Sequence, residues 1–177
     1  GMELTTSEEV HVICLFPTLG DAMDFDAFVY RMLIPFPNRE EIFGRQQIMN
    51  ERDEVTGTKD LLLINAVSFS FDEVFALAAA YNGIAYPAHV DKPSTSLLSN
   101  LGFVPPDSKF TCAEFHDFNN LHRIRRSHPY FSRCNVICCS DAHYLEEIHE
   151  PEYRLFSRSR KISDILDALT SPLPAQT

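Results

Sequence analysis

The sequence predicts an α/β domain of mostly parallel strands with helices outside the sheet. Three observations predict it. Short apolar runs rich in β-branched residues alternate with segments of 3.6-residue apolar periodicity. Capping or breaking residues bound the helical segments. The polar residues that carry chemistry fall just after strand runs, where ligands gather in such architectures.

Residues 9–16 (EVHVICLF) form the first clear strand, buried on both faces and ended by Pro17. Phe25, Phe28, Val29, Met32 and Leu33 then make one helical stripe, stopped by Pro35 and Pro37. A short helix is expected from Arg39, and DEVTGTK reads as a turn or small exposed hairpin. The apolar run at 61–66 is too short to assign. Ser70 and Glu73 make a capping box ahead of the stripe Val74, Leu77, Ala78 and Tyr81, and Gly83 stops that helix. Strand 84–88 runs into His89, Asp91, Lys92 and Pro93. Strand 111–115 precedes a helix around 119–126 with Leu121 and Ile124 inward, and strand 135–139 runs into Ser140, Asp141, Ala142 and His143. Ile162, Ile165, Leu166 and Leu169 define a last helix. The expected organisation is a single domain over 1–170 and a flexible Pro-rich tail at 171–177.

A chain of 177 residues that is 45% hydrophobic, with 14 Phe and 6 Tyr, can bury one sizeable core. Twenty-five acidic against fifteen basic residues give a net charge of -10, a poor match to a phosphate backbone, so nucleic acid is disfavoured as a partner. No apolar run approaches the roughly 20 residues of a membrane span, and no leader pattern opens the chain, so a cytoplasmic location without membrane contact is expected. Of the five cysteines, Cys14, Cys138 and Cys139 sit in apolar runs and read as reduced core thiols; Cys134, Cys138 and Cys139 lack zinc-ribbon spacing.

Two strand ends offer metal-type ligands in the same sense: His89 after GIAYPA, and Asp141 and His143 after NVICCS. His11 places an imidazole inside an apolar strand, where a polar group needs a reason, and Glu3 lies just upstream. His116, His122, His128 and His149 lie in polar stretches and are weaker candidates, His116-Asp117 being the best placed. Arg123, Arg125 and Arg126 read as a solvated helix face, and Asp21, Asp24 and Asp26 suit a helix N-terminal end.

Together GMELTTSEEVHVICLFP, YPAHVDK and CSDAHYLEE resemble the PHP family, the polymerase and histidinol phosphatase superfamily of metal-dependent phosphoesterases, from Gly1 to about Glu152. The resemblance implies a PHP-type distorted β/α barrel whose mouth holds divalent metal ions, zinc, manganese or iron, that hydrolyse phosphate esters. Carried over by position, Glu3 is similar to the family's bridging carboxylate, His11 and His89 to imidazole ligands of its second metal, Asp141 to a ligand of the first and His143 to one of the third. Lys92 stands where a basic residue can hold a substrate phosphate. The family's opening His-x-His strand and its later Asp-His pair have no counterpart, so the resemblance covers a partial, N-terminally incomplete barrel. The first and third metals then lack ligands, while the second keeps its Glu-His-His set.

The expected function is metal-dependent hydrolysis of a phosphate ester, weakened by the missing ligands, on a phosphorylated small molecule or nucleotide; no catalytic residue is assigned. The alternative is a non-catalytic remnant or interaction module that binds one metal or none. Because a partial barrel exposes strand edges that need pairing, a homo-oligomer is expected.

Overall fold

The computed structural model describes residues 1–171. The tail expected at 171–177 lies, apart from Ser171, outside the described residues. Strand β1 (Met2–Thr5) and strand β2 (His11–Leu15) form an antiparallel hairpin, followed by helix α1 (Leu19–Met32). Helix α2 (Glu40–Phe43) and the hairpin of β3 (Gln47–Met49) and β4 (Val55–Thr58) come next, then helix α3 (Phe71–Ala80) and strand β5 (Ile84–Pro87). Helix α4 (Leu97–Asn100), strand β6 (Cys112–Phe115), helix α5 (Leu121–Ser127), strand β7 (Asn135–Cys138) and helix α6 (Ile162–Thr170) complete the order.

The fold is mixed α/β with small sheets, and among the described residues no barrel closes. The expectation of mostly parallel strands is corrected: β1-β2-β5 is antiparallel throughout, and among the described residues only β6 and β7 pair in parallel. Residues 6–10 join β1 to β2, too few for a crossover, which takes about a dozen or more. Between β2 and β5 the chain passes through two long helices with no strand of this sheet between them, so β5 returns reversed. The segment 61–66, which would have supplied that strand, makes only an isolated bridge of Leu61 with Pro37. The turn from α3 into β5 is tight: Asn82 takes a φ of +61°, and a Cβ on Gly83 would lie 2.4 Å from the Phe16 ring.

Alternation along the strands gives the sheet two unlike faces. Leu4, Val12 and Cys14 join the main core with Phe25 and Val29 of α1 and Phe71, Val74 and Ala78 of α3. The opposite face carries Ile13, Leu15 and Tyr86, which pack with Cys112 and with Ile165 and Leu169 of α6, and at one end it carries Glu3 and His11. β2 is thus buried on one face and half-buried on the other, rather than buried on both. Cys14, Cys112 and Cys134 are buried thiols, but Cys139 is exposed, because it lies past the end of β7.

Candidate metal centre

Antiparallel pairing places the candidate ligands together. In the β1-β2 register Thr5 faces His11 and Glu3 faces Ile13, so Glu3 and His11 are diagonal neighbours on one face, within reach of a long side chain. β5 runs against β2 with Val12 opposite Pro87, so the start of β2 meets the end of β5, where His89 follows. The His11 carbonyl accepts from Ala88 N–H at 3.1 Å, and His11 N–H donates to the Thr95 carbonyl at 2.8 Å, which pins both ends of the junction.

Three donor atoms converge there. Glu3 Oε1 is 3.3 Å from His11 Nδ1 and 3.3 Å from His89 Nε2, and the two ring nitrogens are 3.3 Å apart. His89 is 1% exposed and takes a φ of +24°, which is uncommon for a bulky residue and marks a constrained position. Burial works against the Glu3 charge, but hydrogen bonds from His11 and His89, with their positive charge, outweigh it and hold the carboxyl at about 2. Desolvation likewise lowers the His89 pKa, and the Glu3 hydrogen bond with the Asp141 and Glu3 charges overcomes it, for a net rise. The other His89 nitrogen, Nδ1, is buried without a hydrogen-bond partner, which costs about 1–3 kcal/mol and makes this arrangement expensive for folding alone.

The donor set fits a divalent ion. A tetrahedral ion with bonds of about 2.0–2.1 Å spaces its ligands about 3.3–3.4 Å apart, the separation found for all three pairs. One carboxylate and two imidazoles suit zinc, manganese or iron.

Asp141 reaches the rim from the β7 side: its Oδ2 lies 3.8 Å from His89 Nε2 and accepts from Lys92 Nζ, and its φ of +50° is one that Asp tolerates. His143 stays outside, since the mutually close donors are Glu3, His11 and His89; its exposed ring has Nδ1 3.0 Å from the Asp141 carbonyl oxygen. The structure therefore gathers Glu3, His11, His89, Asp141 and Lys92 and leaves His143 at the edge. His116 and His149 lie 6.2 Å apart between ring centroids and line, with Asp141 and Lys92, one cavity.

Two residues beside the site were not singled out by sequence. Asp91 accepts from His116 N–H at 2.7 Å, Asp117 N–H at 2.9 Å and the Asn120 side-chain amide at 2.9 Å, fixing the loop after β6. Glu114, the one charged residue of β6, is 5% exposed, and burial raises its pKa despite a hydrogen bond from the His89 backbone. A lone charge inside TCAEFH was the signal available for it.

An α/β fold carrying a Glu-His-His donor set at a sheet end defines a class: a domain equipped to hold a divalent ion. No family model and no characterised relative matches this sequence. Among solved structures the chain is similar to the lesion-specific endonuclease PfuEndoQ from Pyrococcus furiosus, at 15% identity and a TM-score of 0.59, over 94% of this chain. The chain spans 37% of that protein's length, and at this identity the likeness is one of fold. It overturns the expectation that nucleic acid is unsuited as a partner, because the same fold carries an endonuclease. Net charge sums the whole surface, whereas a metal site and its neighbouring cations act within a Debye length of about 8–10 Å. Among the described residues no helix is long and apolar enough to cross a membrane.

Proposed function

We propose that Glu3, His11 and His89 hold one divalent ion, zinc, manganese or iron, and that the rim they share with Asp141 and Lys92 hydrolyses a phosphate ester of the phosphodiester type, as a PHP-type domain. The observation that carries this reading is the equal 3.3 Å spacing of the three donor atoms. A divalent ion there supplies Lewis acidity to a phosphoryl oxygen and lowers the pKa of a water. Glu3 is anionic at neutral pH, so the site presents a charged ligand without prior deprotonation. His89, enclosed on all sides, keeps its ring fixed, which positions the site at little entropic cost. Asp141 holds the Lys92 ammonium at the same rim, where it acts as a point charge for a non-bridging phosphate oxygen. Fold-level likeness to an endonuclease favours a nucleic-acid phosphodiester over a sugar phosphate and is an argument by analogy.

The test is elemental analysis of protein purified without chelator, with turnover of bis(4-nitrophenyl) phosphate. One ion per chain and metal-dependent turnover are expected, both lost in Glu3→Gln and His89→Ala. Protein that takes up no ion after soaking sinks the reading. Uptake without turnover in the wild type assigns the chain to the non-catalytic alternative.

A further inference from the structure

A metal-ligating imidazole is usually aimed by a hydrogen bond from its second ring nitrogen. In His89 that nitrogen, Nδ1, is buried and has no partner. The direction of the ring therefore has to come from the backbone, which is held at a costly φ of +24°. Such a conformation persists only where the surroundings over-determine it.

Neighbouring groups supply part of the hold. Ala88 N–H donates to the His11 carbonyl at 3.1 Å, Val90 N–H to the Glu114 carbonyl at 2.8 Å, and Lys92 N–H to the His89 carbonyl at 2.9 Å. What remains is the His89 N–H, which has no backbone partner among the described residues. A buried donor left unpaired is costly, and the Glu114 carboxylate accepts this one.

Glu114 belongs to β6, whose four residues are all buried. Ala113 and Phe115 join the main core, and alternation turns Glu114 to the other face, where Cys112 packs with Ile13 and Tyr86. An apolar side chain of the same size would fill that place more cheaply than a carboxylate. Glu114 is outside the group of mutually close donors, so any part it plays in the metal centre runs through His89. Its carboxylate also accepts from the Cys139 thiol, just past β7, which anchors it from the second side.

We infer that Glu114 is a positioning residue: by accepting the His89 N–H it holds the segment after β5 in its strained form and aims His89 Nε2 at Glu3 and His11. The inference rests on the proposed metal centre for its consequence only, because the hydrogen bond and the aim of the ring exist without an ion.

Two substitutions of similar size separate the acceptor from the bulk. Glu114→Gln keeps an acceptor oxygen and removes the charge, whereas Glu114→Met fills the space with no oxygen. In the metal-free protein, amide exchange at His89 should be at least about 10-fold faster in Glu114→Met and unchanged in Glu114→Gln. Val90, which bonds the Glu114 backbone carbonyl, should stay protected in both. The nuclear Overhauser contact between the His11 and His89 rings, whose centroids are 5.2 Å apart, should survive Glu114→Gln and be lost in Glu114→Met. Cobalt(II) should bind Glu114→Met about 10- to 100-fold more weakly and with a changed visible spectrum, and Glu114→Gln should restore both. Unchanged exchange and an intact ring contact in Glu114→Met overturn the inference, as does Glu114→Gln behaving like Glu114→Met. Faster exchange with unaltered cobalt binding overturns it too. If Glu114→Met does not fold, the other two proteins decide: a His89 amide protected in wild type and Glu114→Gln upholds the inference, and one that exchanges freely in either overturns it. Wild-type protein that takes up no cobalt counts against the metal centre, while exchange and the ring contact still decide the role of Glu114.

Discussion

The two rims that meet at His89 are built differently. On the β1-β2-β5 side, Glu3 and His11 stand on hydrogen-bonded strands over the main core, and His89 is enclosed just past β5. On the β6-β7 side, Asp141 and His143 sit on a loop after a half-buried strand, followed by a stretch in which Leu145 is 84% and Phe156 89% exposed. Similar ligand-type residues occur on both. Only the first rim brings three donors to ligand spacing, which teaches that backbone pairing, more than residue type, makes this site.

The largest expected effect contrasts the core under the first rim with the surface beyond the second. Phe25→Ala, at a fully buried position, should destabilise the protein by about 3–5 kcal/mol in urea unfolding. Phe156→Ala should stay within about 0.5 kcal/mol. Similar losses for both would erase the contrast.

Metal affinity sharpens it next. Competition with a chromophoric chelator should show His89→Ala weakening binding at least about 100-fold and His143→Ala less than about 10-fold. The reverse order would move the centre to the second rim.

The pH dependence of the metal-free protein follows from the same contacts. The Glu3 carboxyl is held at about 2, below its unfolded value of about 4.3, so its contribution is present above that value and is lost as pH falls toward 2. The His89 pKa is raised, so its contribution is present below about 6.5 and is lost as pH rises through its folded value. The Glu3–His89 pair contributes to both shifts, with His11 adding to the first and Asp141 to the second, so the pair is counted once and stability is maximal between about pH 4.5 and 6.5. Thermal unfolding of Glu3→Gln across pH should be flatter on both sides, and an unchanged profile would dissolve the ion pair.

The smallest effect concerns the ordered part of the second rim. Asp91→Ala should cost about 1–2 kcal/mol and speed amide exchange at His116 and Asp117, with β1 and β2 unaffected.

Much of the local structure was legible in the sequence, because it is set by neighbours in the chain. The Ser70–Glu73 capping box is present, with the Glu73 carboxylate accepting from Ser70 N–H at 2.8 Å, and the 3.6-residue stripes of α1, α3 and α6 face the interior apart from the exposed Ile162. The short helix after Arg39 is where turn chemistry put it, whereas DEVTGTK supplies only one strand, β4, of a hairpin whose turn lies at 50–54 and whose other strand is β3. Strand direction was not legible, since it depends on how many helices separate two strands of one sheet, and the run at 61–66 left that number open. The meeting of Glu3, His11 and His89 followed from family resemblance rather than from periodicity: a two-residue alternation shows which face a side chain takes but not which strand lies opposite. Asp91 was visible only as a residue following strand 84–88, and its role was not legible for the same reason, because its partners come from residues 116–120.

The hairpin that carries Glu3 and His11 also sets the order in which the donor set comes into being. These two residues are joined by one short turn and can meet on the timescale of hairpin closure, about 1–10 μs. His89 is 78 residues beyond His11 and arrives only when α1 and α3 have packed and β5 has docked. On the proposed metal reading, a weak two-point chelate would precede the three-point one during refolding, and a rise in ion affinity would mark the moment the long-range topology closes.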